Sequence, residues 1–441
     1  LGPSLAGGFL FIGLFVGGWP AAYAQASVEL SGRLQHEAAY RVAHHPEWTK
    51  GLSYLQLQGV ARPGGRSRLT VIGRAWYDAA LDLVPPEDLN PNLVPGDAVS
   101  DSFHDVELKE AYLDLMTASL DLRLGRQIVR WGLLEGARIT DRVNPLDFRE
   151  FLFRDVEDRY IPLWMARMDW FPSWGQAQLL VIPELRFHEP APAGSEWEEF
   201  SIPPGTEIPD MRPGNMEVAT RLGSRLAGVD WTASYFYTWD DFPAAFRSIF
   251  GVGGQLTGVA LNGRHERLQI LGLTASHSMW GKIISLEMAY DRGKYLATDV
   301  GAMPNNEIQR DLVHWGVGVD MNWRGVDVSV SYFEGRVQGW RTFIPVPPVE
   351  RAASLLVREE FFGNRLETRL LMLLFNTGNQ YLARPQLGWK LTDHAKMTVG
   401  ADLLGGAHGS APDDPAGARD FRFVGFFRDH DRIHATISYL F

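Results

Sequence analysis

The feature that most constrains this chain is a strict alternation of apolar and polar residues over stretches too long for an ordinary globular sheet. In "VDWTASYFYTW", Val229, Trp231, Ala233, Tyr235, Tyr237 and Trp239 share one face, while Asp230, Thr232, Ser234 and Thr238 share the other. Successive side chains on a strand point to opposite faces, so the segment reads as a strand with one apolar side bounded by aromatics. Val313 to Met321 and Val326 to Tyr332 repeat the pattern, as do Ile284 to Tyr290 and Trp164 to Trp170. The chain closes on "RIHATISYLF", with Ile433, Ala435, Ile437, Tyr439 and Phe441 on one face. Strands of about 10 to 13 residues exceed the usual five or six of globular sheets and are long enough to cross a bilayer when tilted.

Short turns alternate with long connections. "RPGGR", "MTAS", "PSWGQ", "LAG", "MWGK" and "NWRG" separate pairs of strands, and long segments at about 79–106, 130–160, 186–214, 240–264, 292–310 and 334–352 join the pairs. That rhythm predicts an all-β, antiparallel, up-and-down transmembrane barrel, because a closed barrel satisfies its backbone amides without water. With "ASLLVREEFF" as a strand the count is about 18; with it as a loop helix the count is 16. At either size the bore is wide enough for an aqueous lumen unless something fills it. The inward set is polar, so a channel is the default expectation.

The first 24 residues carry no Asp, Glu, Lys or Arg, and "LAGGFLFIGLFVGGWPAAYA" ends in an Ala22-Tyr23-Ala24 site. This predicts a signal peptide over 1–24 and a single barrel domain over 25–441. The net charge of −11 gives no basic face for nucleic acid. No cysteine is present, which removes disulfides and thiolate metal sites. No metalloprotease His motif or nucleophile elbow appears, and neighbours in Ser276-His277-Ser278 point opposite ways on a strand. No catalytic, cofactor or metal site is expected. The acidic run 78–106, the pair His44-His45 and the glycines of 251–258 read as loop features.

The segment 130–160 is different. It holds thirteen charges in 31 residues, six basic and seven acidic. Asn144-Pro145-Leu146-Asp147 has the form of a helix start, with Asn as cap and Pro in the first position. A short helix from about Pro145 to Phe153 would then place Phe148, Phe151 and Leu152 on one apolar face needing burial. These features predict a loop folded into the barrel that narrows it. The expected constriction residues are Arg123, Arg126, Arg130, Glu135, Arg138, Asp141, Arg142, Asp147, Arg149 and Glu150. Unbroken alternation would turn Arg126 toward lipid, so a bulge at Gly125 is expected to return it to the lumen.

"LRLGRQIVRWG", "DRVNPLDFREF" and "VEDRYIPLWMARMDW" resemble the core of a proteobacterial domain-of-unknown-function family of outer-membrane barrels, often encoded beside RND-type (MMPL-like) exporters. The resemblance is best over about residues 105–172. Gly125-Arg126-Gln127 is also similar to alginate-export-type barrels. The resemblance implies the outer membrane of a Gram-negative bacterium, contact with its lipid and lipopolysaccharide, and transport with a periplasmic or inner-membrane RND-type partner. It brings no substrate and no catalytic residues. Two functions stay open: a channel or exporter component passing small or amphiphilic solutes through a charged, partly plugged lumen, and a structural barrel that sheaths or anchors a periplasmic partner such as a cytochrome. The sequence does not set the oligomeric state.

Overall fold

The computed structural model describes residues 27–43, 46–80, 104–191, 196–197, 205–252, 255–299, 301–303, 305–406 and 424–441. The expected signal peptide, His44-His45 and most of the acidic run 78–106 lie outside the described residues.

The wall begins with β1 (Ser27–Arg41), β2 (Glu47–Gly64), β3 (Ser67–Asp78), β4 (His104–Met116) and β5 (Leu120–Gln127). After a long segment containing the one-turn helix α1 (Val156–Arg159) come β6 (Leu163–Trp170), β7 (Gln176–Ile182), β8 (Glu217–Leu226) and β9 (Val229–Trp239). A hairpin, β10 (Ala244–Val252) and β11 (Gln255–Arg264), forms its own two-stranded sheet. The wall resumes with β12 (Arg267–Met279), β13 (Lys282–Ala297), β14 (Glu307–Trp323), β15 (Val326–Val337) and β16 (Val349–Phe361). It ends with β17 (Leu366–Phe375), β18 (Gln380–Lys390), β19 (Ala395–Gly405) and β20 (Arg432–Leu440).

Each wall strand pairs antiparallel with its neighbour in sequence; β9 pairs directly with β12, and β20 returns to β1 from Arg33 opposite Leu440 to Arg41 opposite Arg432. Among the described residues, eighteen strands thus close into one up-and-down barrel. "ASLLVREEFF" is part of β16. Strands β13 and β14 run 16 and 17 residues, so the connection expected at 292–310 is largely strand. By contrast β5, β6 and β7 have only 8, 8 and 7 residues, leaving the wall low where the long segment departs.

Three short turns, Ala227-Gly228, Trp280-Gly281 and Arg324-Gly325, have positive φ at both positions. That is the two-residue hairpin whose twist suits antiparallel strands, and it explains Gly in second place. At the seam, Phe441 and Gly32 exchange two backbone hydrogen bonds (2.8 and 3.0 Å). The Phe441 ring lies over Gly32, where a Cβ would come within 2.4 Å of Cζ.

The outer face follows the alternation: Leu271 and Leu273, Ile433 and Ile437, and a scatter of Trp and Tyr are exposed on it. The inner face does not follow it all round. Leu180, Ile182, Phe236, Leu268 and Ile270 are buried inside and form one apolar cluster with the segment that follows β5.

Candidate functional site

Residues 128–162 fold into the barrel, and Asn144 fixes both ends of the segment. Its fully buried side chain accepts a hydrogen bond from Val129 N (2.8 Å) and donates to Ile161 O (2.8 Å) and Gln127 O (3.3 Å). Asn144 is therefore a staple across the base of the loop, not a helix cap. The expected helix over Pro145–Phe153 is absent. Leu146 N donates to His188 Nδ1 (2.8 Å), Asp147 N to Arg159 O (2.8 Å) and Phe148 N to Glu189 O (2.7 Å), while the carbonyls of Asn144 and Leu146, which a helix would need as acceptors, are taken by Arg138 (2.6 Å) and Glu189 N (3.0 Å). Pro145 O accepts from Ile161 N, and the only helical turn in the segment is α1. Phe148, Phe151 and Leu152 accordingly share no single face. Phe148 meets His188 and Phe242, while Phe151 and Leu152 join Phe153, Trp197 and Phe427.

The first half of the loop crosses to the far wall. Glu287 on β13, fully buried, accepts Leu133 N and Leu134 N (2.8 Å) on one oxygen and Thr140 N (3.1 Å) and Thr140 Oγ1 (2.8 Å) on the other. Ser354 on β16 donates to Glu135 O (2.7 Å), and Trp131 Nε1 donates to Gln178 on β7 (2.7 Å). Gly316 and Gly318 hollow the β14 wall: a Cβ on Gly316 would lie 2.8 Å from Ile139 and 2.9 Å from Leu134, and one on Gly318 would lie 2.6 Å from Leu134. The loop residues Val129, Trp131, Ile139 and Val143 complete the apolar cluster there. This side of the lumen is dry.

The second half of the loop is held by charge. Glu150 pairs with Lys50 of β2 (2.5 Å) and with Arg154 (3.0 Å). Asp158, on α1, meets Arg33 of β1 (3.4 Å), Arg74 of β3 and Lys109 of β4. Arg384 of β18 donates to Phe153 O (3.2 Å) and shares Asp402 with Arg432 of β20. Burial opposes ionisation of Glu150, but Lys50 and Arg154 outweigh it and hold the carboxyl at about 2. Burial likewise works against Asp158, and Lys109 and Arg74 hold it far below the usual carboxylate range. Asp147 is lowered against its burial by Arg154 and Arg149.

Arg138, Arg142 and Arg149 find partners within the loop itself. Arg138 donates to Asp141 O (2.7 Å) and Asn144 O (2.6 Å), Arg142 to Ile139 O (3.2 Å), and Arg149 pairs with Asp147 (2.7 Å), all within the loop. Arg130 lies over the Tyr160 ring, and Asp141 accepts Trp131 N and the Tyr160 hydroxyl. Arg123 pairs with Asp114 on the inner wall (2.6 Å). The bulge expected at Gly125 does not form. The β4 and β5 ladder runs unbroken from Met116 opposite Asp121 to Ala111 opposite Arg126, and Arg126 sits opposite exposed Trp164 on the outer face. There it pairs with Glu184 (3.4 Å), near the strand end, which is where an outward arginine can reach polar surroundings. Gly125 is needed instead for its φ of 133° and for close approach, since a Cβ would lie 2.1 Å from Ala111 O.

Between the loop and β1, β2 and β17–β20 lies a cavity of about 250 Å³, lined by charged and polar side chains including Lys50, Asp155, Arg369, Arg384, Lys396 and Arg432. A second, of about 640 Å³, lies against β1–β4 and shares Arg33 with the first. Elsewhere, His277 Nδ1 donates to Gly228 O (2.9 Å). No group of three or more His, Asp or Glu side chains suited to a metal occurs among the described residues.

Residues 49–175 match the model of a family described as protein of unknown function (DUF1302), a span that contains the stretch 105–172 on which the resemblance was read. No curated protein matches the sequence. Among solved structures, OccK2 (OpdF) of Pseudomonas aeruginosa, in complex with glucuronate, is 11% identical with a TM-score of 0.52, covering 94% of this chain and 98% of that one. OccK8 (OprE) of the same organism is 9% identical at TM-score 0.52 with the same coverage. OccAB1 of Acinetobacter baumannii is 7% identical at TM-score 0.52, over 95% of this chain and 97% of that one. The likeness is one of fold, an outer-membrane β-barrel. By the rule for such barrels, the short turns mark the periplasmic rim and the long connections the outer one.

Proposed function

We propose that the protein is a porin-like outer-membrane channel for small hydrophilic solutes, in which residues 128–162 narrow the bore and leave a charged passage along β1 and β16–β20. The observation that carries this reading is the one-sided filling of the lumen: the loop is sealed by apolar packing against one wall, and charged cavities lie against the other. A barrel of similar fold holds glucuronate, and a cavity of about 250 Å³ with polar walls suits a solute of that order. The work is passage rather than chemistry, with selectivity set by lining charges and bore width.

Planar-bilayer recording tests it. The full chain should give a small, steady conductance, and deletion of 131–159 should raise it several-fold. A correctly folded barrel silent in both forms would overturn the channel reading and favour the scaffold alternative.

A further inference from the structure

Most cations along the charged cavity are matched. Lys396 pairs with Glu367 (2.6 Å), Lys50 with Glu37 and Glu150, Arg384 and Arg432 with Asp402 (2.6 and 2.7 Å), and Arg33 with Asp158. Arg369 on β17 is the exception. Its guanidinium lines the cavity and reaches only a neutral acceptor, Gln386 Oε1 at 3.3 Å, while its buried Nε has no acceptor. Directly opposite in register, on β16, stands Arg358. Among the described residues neither has a carboxylate at ion-pair distance. The acidic residue across from Arg358 on β15, Asp327, instead accepts a hydrogen bond from Asn322 (2.7 Å).

Like charges directly opposite on a ladder repel, with Cβ atoms about 4.5–5.5 Å apart. Such a pair is relieved by an anion between the two guanidiniums. Each presents a planar fork that fits a carboxylate with two parallel hydrogen bonds. Glu367, two residues from Arg369 on the same strand, is taken by Lys396 (2.6 Å) and forms an ion pair with neither arginine.

We propose that Arg358 and Arg369 form a binding site for the carboxylate of a small organic anion in transit through the lumen. The proposal rests on the channel reading above and names its substrate class. The site differs in kind from the matched pairs that hold the loop: its counter-charge comes from the solute.

The test is isothermal titration of the full-length protein in detergent with succinate, at constant chloride. Wild type should bind saturably at one site. Arg369→Gln should weaken binding at least tenfold, Arg358→Gln comparably, and Arg369→Lys less, since it keeps the charge but loses the fork. Arg62→Gln, a surface pair with Glu29, should bind as wild type does. Absence of saturable binding to wild type, or equal binding by Arg369→Gln, overturns the site. Displacement of succinate by tenfold less sulfate overturns the carboxylate assignment. In bilayers under a KCl gradient, the anion preference of wild type should fall toward zero in the double glutamine variant. A barrel that binds succinate but carries no current sinks the channel reading alone; one that conducts with unchanged reversal potential in the double variant sinks the anion site alone.

Discussion

The two sides of the lumen hold the same loop by different means. Against β6–β9 and β12–β15 the contact is apolar and is organised around one buried carboxylate, Glu287, which takes four donors from the loop. Against β1–β4 and β17–β20 it is a set of ion pairs beside cavities, joined by a second apolar cluster in which Phe151 and Phe153 pack with Leu373, Leu382 and Leu404. Each Leu, Ile or Phe fully buried contributes about 1.5–3 kcal/mol, and removing one partner of a buried ion pair costs about 3–5 kcal/mol. Both sides therefore hold the loop, but only the charged side holds it through groups of opposite sign on loop and wall.

The comparison breaks most completely at Glu287. Glu287→Ala would strand three loop amides and one hydroxyl, each costing about 1–3 kcal/mol when buried without a partner. The loop should leave the wall, raising single-channel conductance several-fold and exposing 131–159 to protease while the barrel stays folded; unchanged conductance would show that packing alone suffices. Filling the glycine hollow is milder. Gly318→Leu forces Leu134 out of its seat at a cost of about 1–3 kcal/mol, as overpacking usually does, and should produce a partial opening visible as a second conductance level.

Acid should loosen the grip at Glu150. The Glu150 carboxyl, held at about 2 by Lys50 and Arg154 against its burial, lies below the free value of about 4.3. A carboxyl lowered in this way contributes its full stability above about pH 4.3 and loses it as the pH falls through about 2. Conductance should therefore be flat from pH 7 to about 4.5 and rise below it; a rise already complete at pH 5 would assign the grip to other groups. The smallest effect is expected at Arg126. Because its side chain lies on the outer face with Glu184, Arg126→Ala should leave ion selectivity unchanged, and a shifted reversal potential would place it back in the lumen.

The wall was legible because alternation is local. Val229–Trp239 declares its two faces within eleven residues, and β16 followed from parity. The dry half was also written in the chain, in a form alternation misses. Leu179–Ile182 is an unbroken apolar run and Leu268–Leu273 is interrupted only by Gln269 and Gly272, the mark of strands apolar on both faces, and Gly316 with Gly318 marks the inner face that receives Leu134. The loop was less legible. Asn-Pro-Leu-Asp fits a helix start by local rules, but the role of Asn144 depends on Gln127, Val129 and Ile161, up to seventeen positions away. Similarly, counting charges in 130–160 could not say that its carboxylates face wall cations while its arginines turn inward on their own backbone.

β1 and β20 are the first and last wall strands among the described residues; they pair from Arg33 opposite Leu440 to Arg41 opposite Arg432, and the Phe441 ring settles over Gly32. Both also hold the loop: Arg33 of β1 grips Asp158, and Arg432 of β20 lies over Phe153 at 4.5 Å. The two strands that close the cylinder are therefore also two of those that hold its contents, so the seam and the loop share the same residues.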